Sequence, residues 1–289
     1  MLKWILECDI NKDINIEYII HLADIHIHKK DREEEYREVF NKIFSTLREE
    51  KPDYIVHTGD IAHTKNQISP EFVEMCSWFL KELADISPTY VILGNHDTNL
   101  KNDTRQDSIS PIVAALNHPN LTLWKYSGER VINNELAFNV MSLIDEDKWV
   151  KPSDPNRINI ALYHGAIAGV TTDIGYTLEH SDHELSIFEG HDYAFLGDIH
   201  KTNQIIDPDG RVRYPGSTVQ QNALLETAKF VQNQIDQNQP FSHDQIHCIF
   251  NVLAGLDMLV DNLKNKQPVL QSMFNVALSS SQQLQKKAA

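Results

Sequence analysis

The feature that most restricts this chain is a repeated junction: an apolar run that stops at a small cluster of Asp, His and Asn. It occurs in "HLADIH", "HTGDIAH", "LGNHD", "LYHG" and "LGDIH". The polar members are Asp24 and His26, Asp60 and His63, Asn95, His96 and Asp97, His164, and Asp198 and His200. One such cluster is an ordinary polar cap on a buried strand. Five of them need a fold that gathers strand ends in one place, where α/β sheets hold their ligands. Within the first cluster, alternate spacing in an extended chain predicts that Asp24, His26 and His28 share a face.

The segments between the clusters support such a fold. "IEYIIHL" reads as a strand. "DREEEYREVFNKIFSTLREE" reads as a helix with Tyr36, Val39, Phe40, Ile43, Phe44 and Leu47 on one face. "PDYIVHTGD" and "TYVILGNHD" are strands running into polar loops. "SPEFVEMCSWFLKELADI" is a helix capped by Ser69 with Pro70 at its first position. "SISPIVAALN" is a shorter one. This is β-α-β-α-β rhythm. From Leu121 strands and short turns dominate, which predicts a second, largely antiparallel sheet packed on the first. Beyond Asn222 no strand-like run appears and three helical patterns follow.

Composition excludes several classes. No apolar run approaches membrane-spanning length, and the acidic N-terminus does not read as a signal peptide. Cys8, Cys76 and Cys248 are scattered and lack C-x-x-C spacing, which argues for a reducing, cytoplasmic compartment without a disulfide frame. The net charge is −15, and the last 67 residues contain 5 basic and 5 acidic residues, so the excess lies before them. Such a chain does not attract nucleic acid through its overall field.

Asp, His and Asn without cysteine suit a borderline or harder divalent ion such as manganese, iron or zinc. The donors are too many for one ion and enough for two sharing a carboxylate. A two-metal site lowers the pKa of a bridging water and clamps the oxygens of a phosphorus centre. A nearby histidine can protonate the leaving oxygen. The inferred chemistry is phosphoester hydrolysis.

The order D-x-H, G-D-x-x-H, G-N-H-D, H, G-x-x-H resembles the calcineurin-like metallophosphoesterases from Ile16 to about Asn222. Within that family "HLADIH", "LGDIHK" and "RVRYPGSTVQQ" are most similar to the SbcD-type DNA repair nucleases, including phage recombination endonuclease subunits. The resemblance implies an α/β fold, a four-layer α-β-β-α sandwich over residues 16–222. An N-terminal extension (1–15) and an all-helical tail (223–289) would flank it. It implies two divalent ions, manganese first, with iron, zinc or magnesium as alternatives. Asp24, His26 and His200 would bind the first ion; Asn95, His164 and Asp198 the second; Asp60 would bridge them. His96 would be the general acid, oriented by Asp97, and His63 would contact the phosphate. His21 and His57 read as buried hydrogen-bonded groups, His28 as a rim residue, and His180, His183 and His191 as loop residues.

The same resemblance implies duplex DNA ends as substrate, an SbcC-type coiled-coil ATPase partner, homodimerisation and a cytoplasmic location, the host's if the chain is phage-encoded. Lys201, Arg211 and Arg213 follow the last cluster and are the candidate phosphate contacts. Two departures stand out. Asp198 occupies a position where the SbcD-type pattern has histidine. After "YPGS" the chain enters the helical tail where those nucleases continue into another strand and a capping domain. Two other readings stay open: a phosphoesterase acting on nucleotides or phosphoproteins, and a non-catalytic scaffold.

Overall fold

Strand order follows from where crossover helices fit. The computed structural model describes residues 2–5, 18–28, 32–65, 68–102, 105–172 and 177–219, with backbone alone for 2–5. They belong to one unit, Met1–Gln221. The helices expected over 223–289 lie outside the described residues.

The first sheet contains β1 (Leu2–Ile5), β2 (Tyr18–Leu22), β3 (Tyr54–Thr58), β4 (Thr89–Ile92) and β5 (Leu121–Trp124), in that spatial order. The pairs from β2 to β5 are parallel, and β1 lies antiparallel to β2. A piece of the expected N-terminal extension is therefore an edge strand. The connections in the parallel part are α1 (Glu33–Glu50), α2 (Pro70–Ile86) and α3 (Ser110–Leu116). Tyr36, Phe40, Phe44 and Leu47 recur on one buried face of α1. Lys51 ends that helix in the left-handed region, its N–H bonded to Leu47 O. Ser69 caps α2, its Oγ accepting the N–H of Phe72 at 3.2 Å.

The second sheet has the order β10 (Gln204–Ile205), β11 (Val212–Tyr214), β9 (Tyr193–Gly197), β8 (Ile158–His164), β7 (Leu136–Met141) and β6 (Gly128–Val131). The expectation of a largely antiparallel sheet is corrected here. The pairs β7–β8, β8–β9 and β9–β11 are parallel, and only the outer pairs β6–β7 and β10–β11 are antiparallel. The physical reason is connection length. Residues 142–157 and 165–192 are long enough to cross over, whereas hairpins need only a few residues. "LTLWKY" also belongs to the first sheet, paired with β4, rather than to the second.

The sheets pack face to face through Ile19, Val56, Ile92 and Trp124 on one side and Phe138, Val140, Ile160, Leu162 and Phe195 on the other. The three helices cover the outer face of the first sheet. The outer face of the second is covered by the two long connections, with 3-10 turns at Glu146–Lys148 and Leu185–Phe188. Since β2, β3, β4, β8 and β9 all run the same way within their sheets, their C-terminal ends gather at one edge of the sandwich.

Phe138 is fully buried between the sheets against Tyr90 and Trp124. Phe138→Ala is expected to lower unfolding free energy by about 3–5 kcal/mol, read from the midpoint of chemical denaturation.

Candidate metal centre

Every polar cluster predicted from the sequence lies at this edge, but the local backbone differs from expectation. β2 ends at Leu22, before Asp24. Asp24, His26, Asp60 and Asp198 all have positive φ, at 53°, 48°, 58° and 91°. Strand alternation is therefore not what brings Asp24 and His26 together. The two loops instead run side by side: Asp24 N–H bonds Gly59 O (3.1 Å), His26 N–H bonds Asp60 O (3.0 Å) and Ile27 N–H bonds Ile61 O (2.8 Å). Asp and His are among the residues that tolerate left-handed backbone best, so the ligand types also suit the turns.

Two glycines let the loops close this tightly. Gly59 has φ 90°, and a Cβ on it would lie 2.6 Å from Gly94 N. A Cβ on Gly94 would collide with the Asp60 carboxylate. Close approach, rather than chain reversal, requires glycine at position 94.

Asp60 is central. Its Oδ2 lies 3.5 Å from His26 Nε2 and 3.3 Å from His164 Nε2. Its Oδ1 accepts the backbone N–H of His96 at 2.8 Å. On one side His26 Nε2 faces His200 Nε2 at 2.9 Å. On the other, His164 Nε2 is 3.8 Å from Asp198 Oδ1, which accepts Asn95 Nδ2 at 3.2 Å. The Asp24 carboxylate accepts the backbone N–H of Asp198 at 2.9 Å and so ties the two sheets together. Three sets of ligand atoms lie within 4.8 Å of one another: Asp24, His26 and His200; Asp24, Asp60 and His164; and His26, His63 and His96.

The electrostatics suit a cation. Asp24 and Asp60 are buried, and the ionic partners of Asp60 and Asp198 are histidines. Burial, with Asp60 and Asp198 nearby, pushes the Asp24 carboxyl well above its usual range. Asp60 goes the other way: burial opposes ionisation, but His164 and His26 outweigh it. Burial would also lower His164, yet Asp60, Asp24 and Asp198 carry it well above an ordinary imidazole. Burial holds His26 down to about 2, so its ring is neutral and keeps a lone pair. His164 Nδ1 donates to Thr58 O at 2.6 Å, which directs Nε2 at Asp60. Among the described residues the buried Asn95 Oδ1 has no hydrogen-bond partner. Buried carboxylates, a neutral imidazole and an unpartnered amide oxygen make a set that fits divalent ions.

The part expected of Asp97 is corrected. Its carboxylate accepts the backbone N–H groups of Asp60 (2.8 Å), Ala62 (2.8 Å) and Gly94 (2.9 Å). The His96 ring is instead oriented by its Nδ1–H donating to His63 O at 2.6 Å. Asp97 thus positions the Asp60 loop. Ser108 braces it in turn, its N–H and Oγ–H both donating to Asp97 O.

His63 stacks on His28, ring centroids 3.5 Å apart. His21 is buried, bonded to Thr58 Oγ1 at 2.9 Å and stacked on Phe195. His57 is equally buried, but among the described residues neither ring nitrogen has a hydrogen-bond partner, unlike the expectation for it. His180 is exposed, whereas His183 packs on Trp149 and His191 Nδ1 meets Phe188 O.

The expected basic cluster is dispersed. Lys201 is exposed next to His200. Arg211 is ion-paired to Asp209, and its O accepts the N–H of Ala194, near the start of β9 and the far end from Asp198. Arg213 pairs in register with Phe195, midway along β9, and its Nε donates to Gly210 O. The strand that begins at Val212 carries both arginines away from the edge. Lys65, which sequence reading passed over, is exposed at the site with Nζ donating to Asn95 O at 3.2 Å. Its only sequence signal was its position two residues after His63.

Asp97→Ala leaves three backbone donors without an acceptor. It is expected to cost at least about 2 kcal/mol of stability, measured by denaturation, and to weaken divalent-ion binding, measured by calorimetry. Unchanged stability and binding would remove Asp97 from this role.

The sequence profile of the calcineurin-like phosphoesterases matches residues 18–202. The uncharacterized protein R555 of Acanthamoeba polyphaga mimivirus is 38% identical over 221 residues, covering 72% of this chain and 16% of that protein. The chain thus spans about a sixth of the length of that curated relative. Among solved structures, the Pseudomonas putida nuclease MPE aligns with 71% of this chain and 76% of its own, at 14% identity and a TM-score of 0.35. No helix among the described residues is long and apolar enough to cross a membrane. With the profile covering well over half its length and the motif residues converged on one edge, the chain belongs to the calcineurin-like phosphoesterase family.

Proposed function

We propose that the chain is a two-metal phosphodiesterase of the SbcD type that hydrolyses DNA. The observation that carries this reading is the position of Asp60 Oδ2, 3.5 Å from His26 Nε2 and 3.3 Å from His164 Nε2. One carboxylate oxygen between two imidazoles, each with further donors beside it, is what a shared ligand of two ions requires. Asp24, His26 and His200 would hold the first ion, Asn95, His164 and Asp198 the second, and Asp60 would serve both. Two bound divalent ions, manganese first, supply a nucleophile from water near neutral pH and neutralise charge on the phosphate oxygens.

The remaining steps fall to protein groups. His96 Nδ1–H donates to the His63 carbonyl, so as the doubly protonated imidazolium the ring would give its Nε2 proton to the leaving oxygen and return to the neutral Nδ1–H tautomer. His63 and Lys65 approach the same edge and orient the phosphate. Asp198 adds negative charge where the SbcD-type pattern has a neutral imidazole, which favours a harder ion in the second position.

The DNA part of the reading rests on the motif resemblance. The net charge is −15 and Arg211 pairs outward with Asp209, so among the described residues few cations stand near the site: Lys65, Lys201, and Arg32, which acts on His63 and is ion-paired to Glu35. An SbcC-type ATPase or a second copy of the chain supplies the remaining phosphate contacts. The same scarcity of cations favours a second reading, in which a small phosphodiester or nucleotide is the substrate.

The test is manganese-dependent digestion of end-labelled linear duplex DNA, run beside a nitrophenyl phosphodiester. Chelation should abolish turnover and manganese should restore it. His96→Ala should lower kcat about 10²–10⁴-fold while two ions stay bound. Cleavage of the small diester with DNA intact selects the second reading. Failure to bind two ions rejects both.

A further inference from the structure

We infer that residues Gly216–Thr218 form a positioning strap that fixes Asp24 and His200 relative to each other across the two sheets. This rests on the two-ion reading, in which Asp24 and His200 share the first ion.

Asp24 and His200 come from different sheets, at the ends of β2 and β9. The strap bonds to both loops. Thr218 donates to Ala23 O twice, from its backbone N–H at 3.0 Å and from its Oγ–H at 2.7 Å. Ser217 N–H donates to His200 O at 3.2 Å. The Ala23–Asp24 peptide is thereby held at both ends, because the Asp24 N–H is already bonded to Gly59 O. That peptide leads into a residue with φ 53°, a conformation that relaxes unless its surroundings over-determine it. The second Thr218 bond supplies part of that constraint.

The strap fits in one way. Gly216 has φ 79°, and a Cβ there would lie 2.5 Å from Thr202 Cα and 2.9 Å from His200 O. Only glycine lets the chain lie this close to residues 200–202. Asn203 N–H bonds Pro215 O at 3.3 Å on the approach. Val219, 1% exposed, anchors the far end in the core between the first sheet and its helices. Neither Ser217 nor Thr218 belongs to the ligand set, so the strap acts through the loops it holds.

Thr218→Val removes the hydroxyl while keeping shape and backbone; Thr218→Ser restores it. Manganese binding to the purified chain, followed by calorimetry and electron paramagnetic resonance, is the primary readout. In Thr218→Val one of the two manganese sites should weaken about tenfold and kcat on a nitrophenyl phosphodiester should fall by a similar factor, with KM within about twofold. Thr218→Ser should match wild type on every measure. Two wild-type sites with an unaltered pair in Thr218→Val overturn the strap and leave the two-ion reading intact. A wild-type chain that does not bind two ions overturns both. If Thr218→Val does not fold, hydrogen exchange on wild type decides: manganese should slow exchange at Ser217 and Thr218 as well as around Asp24. Unchanged exchange at 217 and 218 overturns the strap.

Discussion

Asp60 is the residue on which the rest of the site depends. Its backbone N–H is bound by Asp97, its carbonyl accepts His26 N–H, and its Oδ1 accepts His96 N–H. Its Oδ2 stands between His26 and His164. Three loops of the first sheet and one strand end of the second therefore meet on a single aspartate. Such a residue cannot shift alone. Moving it disturbs the imidazole that shares its oxygen, the backbone that carries the candidate acid, and the loop that holds Asp24.

This concentration of like charge is paid for by the fold around it. Left-handed backbone at Asp24, His26 and Asp60, and the unusual φ at Asp198, cost about 1–3 kcal/mol each. Burial of the carboxylates adds to that. The opposing term is the apolar packing beneath. One core lies between the sheets, and another between the first sheet and α1, α2 and α3. The strained loops sit at the ends of strands buried in these cores, so strain is confined to residues with the fewest alternatives. Ile25, Ile27, Ile61 and Ala62 anchor the same loops in the core, and backbone ties between the loops then hold the polar groups at fixed spacing.

Much of this was legible in the sequence because two signals coincided. Apolar runs of strand length set the direction of β2, β3, β4, β8 and β9, and the Asp/His/Asn clusters marked their ends. A parallel sheet converts that marking directly into spatial convergence. What was not legible depended on geometry without a local signature. Antiparallel and parallel strands share the same apolar pattern, and only the long 142–157 and 165–192 connections distinguished them. The D-x-H spacing invited an argument from strand alternation, whereas both residues lie in a loop at positive φ. Asp97 beside His96 suggested a side-chain pair. The turn at Gly94–Asp97 instead aims the carboxylate at backbone N–H groups of a neighbouring loop.

Arg211 and Arg213 show the same limit from the electrostatic side. Twelve residues lie between Asp198 and Arg211 in the sequence, and the chain uses them to travel back along the sheet through β10 and its turn. A strand parallel to β9 must begin at the end opposite to the ligands, so basic residues at its start are carried away from the metal edge. Proximity in sequence is therefore a poor guide to phosphate contacts in a parallel sheet. The residues that reach the cleft are those directly after a cluster, such as Lys201, or on the loop that follows one, such as Lys65. With few cations among the described residues at that edge, attraction for a phosphorylated ligand would come chiefly from ions held among the carboxylates. Binding of such a ligand and binding of metal would then be coupled, and whatever fixes the spacing of Asp24, Asp60, Asp198 and His200 would govern both.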